Sequence, residues 1–182
     1  MFSVQLVKMS KRNPEKELIE SFKELITSDN AFGIKEAVNF GDDSDTVADV
    51  EYLAKNGEYL ILEAKSHKSS NAQNTRHQIF GQLLKEQGKE NDKRKLYDNS
   101  AVFGLLRPGD QAIGVKGAPK SDGVKYYRDG FTAIPKSKFS AFGDLVNAGY
   151  VFVCFGVERI EVFSWLGFYS DDKPICTILA QT

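Results

Sequence analysis

Three charged residues lie at the ends of two alternating apolar runs that flank Asn56-Gly57. Asp49 lies near the start of the first run, and Glu63 and Lys65 close the second run directly after Tyr59–Leu62. Two carboxylates can hold Mg²⁺, and a nearby cation can orient an attacking water or stabilise charge that develops on a phosphate. These residue types therefore fit metal-dependent hydrolysis of a phosphodiester. The alternative is a surface hairpin whose charged ends are solvated.

The turn between the two runs decides whether these side chains meet. Residues i and i+2 of a strand share a face, so Glu63 and Lys65 project together. A two-residue loop at Asn56-Gly57 points Asp49 at the other face, whereas a three-residue loop with Gly57 left-handed places Asp49 opposite Glu63. We predict the three-residue loop, residues 55–57, because it also places most of the apolar residues of the hairpin on one face. One face then carries Val50, Tyr52, Leu60, Leu62 and Ala64, and the other carries Asp49, Glu51, Ile61, Glu63 and Lys65.

The elements around this hairpin predict an α/β protein in which helices flank a central mixed β-sheet. Asn13-Pro14 signals the start of a helix with an apolar face, and residues 33–40 alternate as a strand. After the hairpin we expect a helix over 71–88, a strand over 101–106 that ends at residues 107–109, a short helix within 137–149 and two strands within 150–169. We expect one domain over 1–182, with a core at 13–106 and a C-terminal elaboration at 107–182. Residues 110–139 give no clear pattern, and we expect them to lie along the substrate.

Composition and charge set the class of protein. The chain has 182 residues, of which 41% are hydrophobic and 27% charged, as in a folded globular protein. No apolar run approaches the roughly 20 residues that span a bilayer, and the apolar patch at the N-terminus is too short for a signal peptide. Only Cys154 and Cys176 occur. We therefore expect a cytoplasmic protein with reduced thiols and no membrane association.

The formal net charge of −1 conceals an uneven distribution. Residues 41–63 carry seven carboxylates against Lys55 alone, whereas residues 115–140 carry six bases against two acids. An acidic patch beside basic segments suits a metal site next to a phosphate-binding surface. Solvated loops of mixed charge explain the same distribution equally well.

Asp49 and the triplet Glu63-Ala64-Lys65, with a helix after them, resemble the motif of the PD-(D/E)XK nuclease superfamily, which has the restriction-endonuclease-like fold. The resemblance covers about residues 13–106, where a helix, three strands, a helix and a strand follow in the order of that superfamily. It implies that Asp49, Glu63 and the carbonyl of Ala64 bind Mg²⁺, for which Mn²⁺ can substitute. It also implies that Lys65 orients the attacking water or steadies the transition state. Ala48 replaces the proline of the motif, which performs no chemistry.

The resemblance implies further site residues. Members of the superfamily often carry another acid in the first helix, and Glu15 lies three and four residues before Leu18 and Ile19 on its inward face. Several branches place Gln in the helix after the lysine. The resulting candidates for substrate binding are Gln78 and Gln82, with Lys68 and Arg76 as basic candidates beside them.

The function that the resemblance implies is an endonuclease acting on DNA, of restriction, junction-resolving or repair type. Such substrates usually demand two cuts, which implies a homodimer. Two alternatives stay open. One is a catalytically inactive module on the same fold that binds nucleic acid or protein, and the other is a small α/β interaction protein whose acidic hairpin is only a surface.

Two further groups of residues allow more than one interpretation. Five cations near the end of the 71–88 helix and beyond it fit either contacts to a phosphate backbone or a solvated helix end; they are Lys85, Lys89, Lys93, Arg94 and Lys95. Trp165 and its aromatic neighbours fit the core or a dimer surface better than base stacking.

Overall fold

The computed structural model describes residues 14–27, 29–66, 72–109 and 123–181, with the backbone only at 72–76. Its α-helices are α1 (Pro14–Ile26), α2 (Ala72–Glu86), α3 (Asp92–Tyr97), α4 (Gly123–Thr132), α5 (Lys136–Val146) and α6 (Trp165–Tyr169), and a 3₁₀ turn covers Asp98–Ser100. Its strands are β1 (Ile34–Phe40), β2 (Val50–Ala54), β3 (Tyr59–Ala64), β4 (Val102–Pro108), β5 (Ala148–Phe155), β6 (Arg159–Ser164) and β7 (Cys176–Leu179). The expected α/β class with a mixed sheet is confirmed.

The strands form one sheet in the order β1-β2-β3-β4-β5-β6-β7. The pairs β1–β2 and β2–β3 are antiparallel, β3–β4 and β4–β5 are parallel, and β5–β6 and β6–β7 are antiparallel. The carboxyl ends of β3, β4 and β5 therefore lie at one edge of the sheet, together with the start of β2. In open α/β sheets, ligands bind at the edge where the parallel strands end.

Helices cover both faces of the sheet. Helix α1 packs on one face through its apolar residues, Leu18, Ile19, Phe22, Leu25 and Ile26, all of which are buried. Helices α2, α4, α5 and α6 pack on the other face around Ile79, Phe131, Phe139 and Trp165. Strands β2 and β3 are consequently buried along their whole length, which corrects the view of the hairpin as a surface element.

The hairpin has the register that its turn predicted. Val50 pairs with Leu62 and Leu53 pairs with Tyr59, which places Asp49 opposite Glu63. Gly57 has φ +90, and its N–H donates to the carbonyl of Ala54 at 3.0 Å. Only a residue without a Cβ adopts this conformation readily, so the Asn-Gly pair sets the loop length.

The C-terminal half contains elements that the sequence pattern did not predict. Helices α3, α4 and α6 and strand β7 are among them, and β4 runs on through Arg107 and Pro108 instead of ending before them. Trp165 is core: its ring stacks on Phe139 with centroids 4.4 Å apart, and its Nε1–H donates to the Phe139 carbonyl at 3.0 Å. Within the described residues, Cys154 and Cys176 form no disulfide. In the described part of the chain, no helix has the length and apolar character needed to cross a membrane.

Candidate active site

Asp49 and Glu63 meet where β2 begins and β3 ends. The two residues are cross-strand neighbours, so their side chains project from the same face of the hairpin. Asp49 Oδ2 accepts a hydrogen bond from the Ala64 N–H at 2.9 Å. That bond holds one carboxylate oxygen of Asp49 against the backbone next to Glu63 and leaves the other oxygen for a ligand.

The β2–β3 ladder opens at this point. Continuing the register would pair Ala48 with Ala64 through two backbone hydrogen bonds. Instead, the Ala48 N–H donates to Glu51 Oε2 at 3.0 Å, and the Ala48 carbonyl accepts from Asn39 Nδ2 at 2.7 Å. The carbonyl of Ala64 is therefore released from the ladder bond that Ala48 would have supplied. A released carbonyl beside two carboxylates is an oxygen donor of the kind that hard cations take.

Lys65 and Glu15 complete the group. Lys65 Nζ lies 3.7 Å from Glu15 Oε2, and the two side chains are 19% and 35% exposed. Glu15 stands in the first turn of α1 on the opposite side of the sheet edge, so the helix and the hairpin converge there. We expected Glu15 on the inward face of α1, and this contact brings its half-buried side chain to Lys65.

Burial and mutual repulsion dominate the electrostatics of the acids. Burial, with the charges of Asp49 and Glu86, raises the pKa of Glu63 to about 8, although Lys65 and Arg107 oppose the shift. Burial also raises the pKa of Asp49 and of Glu15 above their ordinary values. Such carboxylates are poorly neutralised by the protein itself. Each would ionise more readily with a further cation beside it.

Arg107 is the site residue that sequence reasoning missed. Its strand position follows Leu106, which pairs with Ala64, so Arg107 is the neighbour of Lys65 in the sheet and shares its face. The guanidinium is fully buried and lies 4.9 Å from the ring centre of Tyr127 in α4. Glu63, Glu15 and Asp49 all act on it electrostatically. The alternation of faces in β4 could have identified Arg107, because it lies two residues after buried Leu105 and therefore on the same face. We expected the strand to end at Arg107 instead.

The candidates on and before α2 have different outcomes. Gln82 lies one helical turn before buried Glu86, and its Oε1 is buried without a hydrogen-bond partner among the described residues. Gln78 is exposed, and the structure does not bring it to the acids. Lys68 and the side chain of Arg76 lie outside the described residues.

A second buried charge cluster lies behind the site and is structural. Glu51 is fully buried and pairs through both oxygens with Arg94, whose Nε and Nη2 each lie 3.0 Å away. Arg94 Nη2 also lies 3.0 Å from Glu86 Oε2, and Lys89 Nζ lies 2.5 Å from Glu86 Oε1. The interpretation of Arg94 as a phosphate contact or a solvated cation is therefore wrong, because its guanidinium is buried in this cluster. Arg94 links α3 to β2 and α2, and Lys89 Nζ donates to the Val47 carbonyl at 3.0 Å, shortly before β2.

The donor set fits a divalent cation with oxygen ligands. Asp49, Glu63 and the carbonyl of Ala64 offer two carboxylates and one carbonyl on adjoining positions. Mg²⁺ is usually held by one or two carboxylates, and water and substrate phosphate complete its shell. No group of three or more His, Cys, Asp or Glu residues with metal-binding geometry occurs in the described ranges.

Comparison of the chain with protein-family models, with curated proteins and with solved structures finds no significant match. The fold and the site themselves define the class: an α/β protein with a mixed seven-stranded sheet, which carries an acidic pair, buried Glu63 and half-buried Asp49, and two cations at the carboxyl ends of its central parallel strands.

Proposed function

We propose that this protein is a Mg²⁺-dependent nuclease that hydrolyses phosphodiester bonds of DNA, with Mn²⁺ able to replace Mg²⁺. The observation that carries the proposal is the register that sets Asp49 opposite Glu63, with Lys65 on the same face. Two neighbouring carboxylates with raised pKa values, buried Glu63 and half-buried Asp49, attract a cation, and a cation held by only a few protein oxygens takes phosphate oxygens as further ligands.

Each residue has a distinct role in this mechanism. Asp49, Glu63 and the Ala64 carbonyl would hold the metal ion, which supplies a water of lowered pKa and neutralises charge on the phosphate. The Lys65 ammonium, whose side chain is partly exposed, would donate to the attacking water or to a phosphate oxygen. Glu15 orients that ammonium through the ion pair at 3.7 Å.

The order of elements supports the restriction-endonuclease-like architecture within this proposal. Helix α1, the meander β1–β3, helix α2 and strand β4 follow one another as the PD-(D/E)XK superfamily requires, and β4 runs parallel to β3. We also propose a homodimer, because cutting both strands of a duplex requires two sites of this kind. Sedimentation of the full chain gives its mass directly.

The experiment is a cleavage assay on supercoiled, linear, single-stranded and branched DNA. Each substrate is incubated with the protein in Mg²⁺, in Mn²⁺ and in excess chelator. The test variants are Lys65→Ala and Asp49→Asn. The matched control is Lys55→Ala, which removes a lysine from the turn of the same hairpin, where it pairs with Asp29 at 3.2 Å.

We expect wild type and Lys55→Ala to cleave at least one substrate with metal and none with chelator. Lys65→Ala and Asp49→Asn lose at least about a hundredfold in rate, as expected when a charge acting in the transition state is removed. Cleavage that persists in both test variants, or in chelator, contradicts the proposal.

A further inference from the structure

Arg107 has donors that nothing in the described structure satisfies. Its Nε, Nη1 and Nη2 are buried and have no hydrogen-bond partner in the described ranges, and none of the described carboxylates forms an ion pair with it. A buried guanidinium without acceptors is costly, because five N–H donors have been removed from water. Such a residue is retained at this cost only where it has an acceptor to bind.

The other buried arginine shows what a purely structural role requires. Arg94, 8% exposed, donates to both oxygens of Glu51, to Glu86 Oε2 and to the carbonyls of Glu86 and Lys89. Arg107 is more deeply buried and has no such contact within the described chain. The difference indicates that the acceptor for Arg107 is not a residue of the described fold.

The surroundings of Arg107 indicate the chemistry of that acceptor. Glu63, Glu15 and Asp49 act on the guanidinium electrostatically but do not bond to it, and the Tyr127 ring lies 4.9 Å from it. Lys65 is its neighbour in the sheet, and the Lys65 N–H donates to the Leu106 carbonyl at 3.1 Å. An acceptor that binds both of these cations is expected to be an anion, and it needs several oxygens to accept from the donors of Arg107.

We propose that Arg107 is a phosphate-binding residue of this site, which donates two N–H groups to the oxygens of one phosphate while Lys65 contacts the same phosphate. This inference rests on the proposed function for the identity of the phosphate, namely that of a DNA strand. The planar guanidinium matches two phosphate oxygens, as an ammonium cannot. Since no hydrogen bond to the described residues restrains it, the guanidinium can turn towards the ligand without breaking one.

The experiment separates phosphate binding from catalysis. Thermal unfolding is measured in inorganic phosphate and in chloride of equal ionic strength, without divalent metal, for wild type, Arg107→Met and Arg107→Lys. The matched control is Arg159→Met, because Arg159 is an arginine that already has carboxylate partners, Glu161 at 3.2 Å and Glu158 at 3.7 Å. Binding of a labelled 20-base-pair DNA duplex is then followed in Ca²⁺, which supports binding without cleavage.

We expect phosphate to raise the unfolding temperature of wild type and of Arg159→Met relative to chloride, because a ligand of the native state stabilises it. The increase is absent in Arg107→Met and reduced in Arg107→Lys, which keeps the charge and loses the two-pronged contact. The duplex binds Arg107→Met about tenfold or more weakly than Arg159→Met, in line with the loss of charge-assisted hydrogen bonds.

The inference is overturned if Arg107→Met keeps the phosphate effect, or if Arg159→Met loses as much duplex affinity. If Arg107→Met does not fold, Arg107→Lys decides the matter: a phosphate effect equal to wild type overturns the inference. A protein that shows the phosphate effect and cuts no DNA contradicts the proposed function alone. A nuclease without the phosphate effect contradicts only the role of Arg107.

Discussion

Replacing Glu63 by Gln tests how strongly the acids of the site oppose one another in the metal-free protein. Burial and the charges of Asp49 and Glu86 raise the pKa of Glu63 to about 8, from an ordinary value of 4.5. The folded state then binds a proton that the unfolded state releases in this range. The contribution of Glu63 to stability is therefore fully present below about pH 4.5 and is lost as the pH rises towards 8.

The size of the effect follows from the two pKa values. At about 1.4 kcal/mol per pH unit, a carboxyl with these values costs the folded state up to about 4 kcal/mol at pH 8 and under about 1 kcal/mol at pH 5. Glu63→Gln keeps the shape of the side chain and removes the ionisation. It therefore raises the free energy of unfolding by a few kcal/mol at pH 8 and changes it little at pH 5.

The assay is urea-induced unfolding at several pH values between 5 and 8, in chelator and then in Mg²⁺. Wild type loses stability as the pH rises, and Glu63→Gln loses less. Mg²⁺ diminishes the difference between them, because a bound cation stabilises the ionised form of Glu63. Glu20→Gln, which neutralises an exposed acid of α1, is the control for losing one surface charge.

Parallel stability curves for wild type and Glu63→Gln across this range would contradict a raised pKa of Glu63 in the folded protein. That result would mean that Glu63 ionises as an ordinary carboxyl and that burial and the neighbouring acids do not oppose its ionisation. A lower free energy of unfolding for Glu63→Gln than for wild type at pH 8 would contradict the raised pKa as well.

Three further substitutions test the architecture that supports the site. Arg94→Met leaves the buried Glu51 carboxylate without its cationic partner and lowers the free energy of unfolding by about 3–5 kcal/mol in urea titration; a loss below about 1 kcal/mol would contradict the structural role. Gly57→Ala lowers the free energy of unfolding by at least about 1 kcal/mol in the same titration. The added Cβ meets no other atom, but φ is +90 at this position, a conformation that alanine adopts only with strain; an unchanged urea midpoint would contradict the three-residue loop. Gly143→Ala forces a Cβ into the Trp165 ring, so it costs about 1–3 kcal/mol and alters tryptophan fluorescence, and an unchanged spectrum would contradict the packing.

Local rules predicted the centre of the site from the sequence. The i, i+2 spacing of Glu63 and Lys65 fixed their common face, and the left-handed preference of Gly57 fixed the loop length and with it the position of Asp49. The helical period placed Glu15 towards the hairpin. Each of these residues is positioned by a turn or a strand within a few residues of itself, or by a regular helix face.

Long-range pairing explains what the sequence did not predict. The partner of Glu51 is Arg94, which lies more than forty residues away on another element, and no local pattern connects them. Arg107 precedes Pro108-Gly109 and reads as the start of a turn, yet β5 pairs with β4 through Pro108 and keeps Arg107 in the sheet. Strand β7 has only four residues and needs β6 beside it to exist.

The proposed metal site is tested most directly by calorimetric titration of the metal-free protein with Mn²⁺ and with Mg²⁺, since this requires no knowledge of the substrate. We expect saturable binding of divalent metal by wild type and by Lys55→Ala. We expect Asp49→Asn, which keeps the size of the side chain and removes the charge, to bind at least about tenfold more weakly. Absence of metal binding by wild type, or equal binding by Asp49→Asn, would contradict the claim that Asp49 and Glu63 form the metal site of a nuclease.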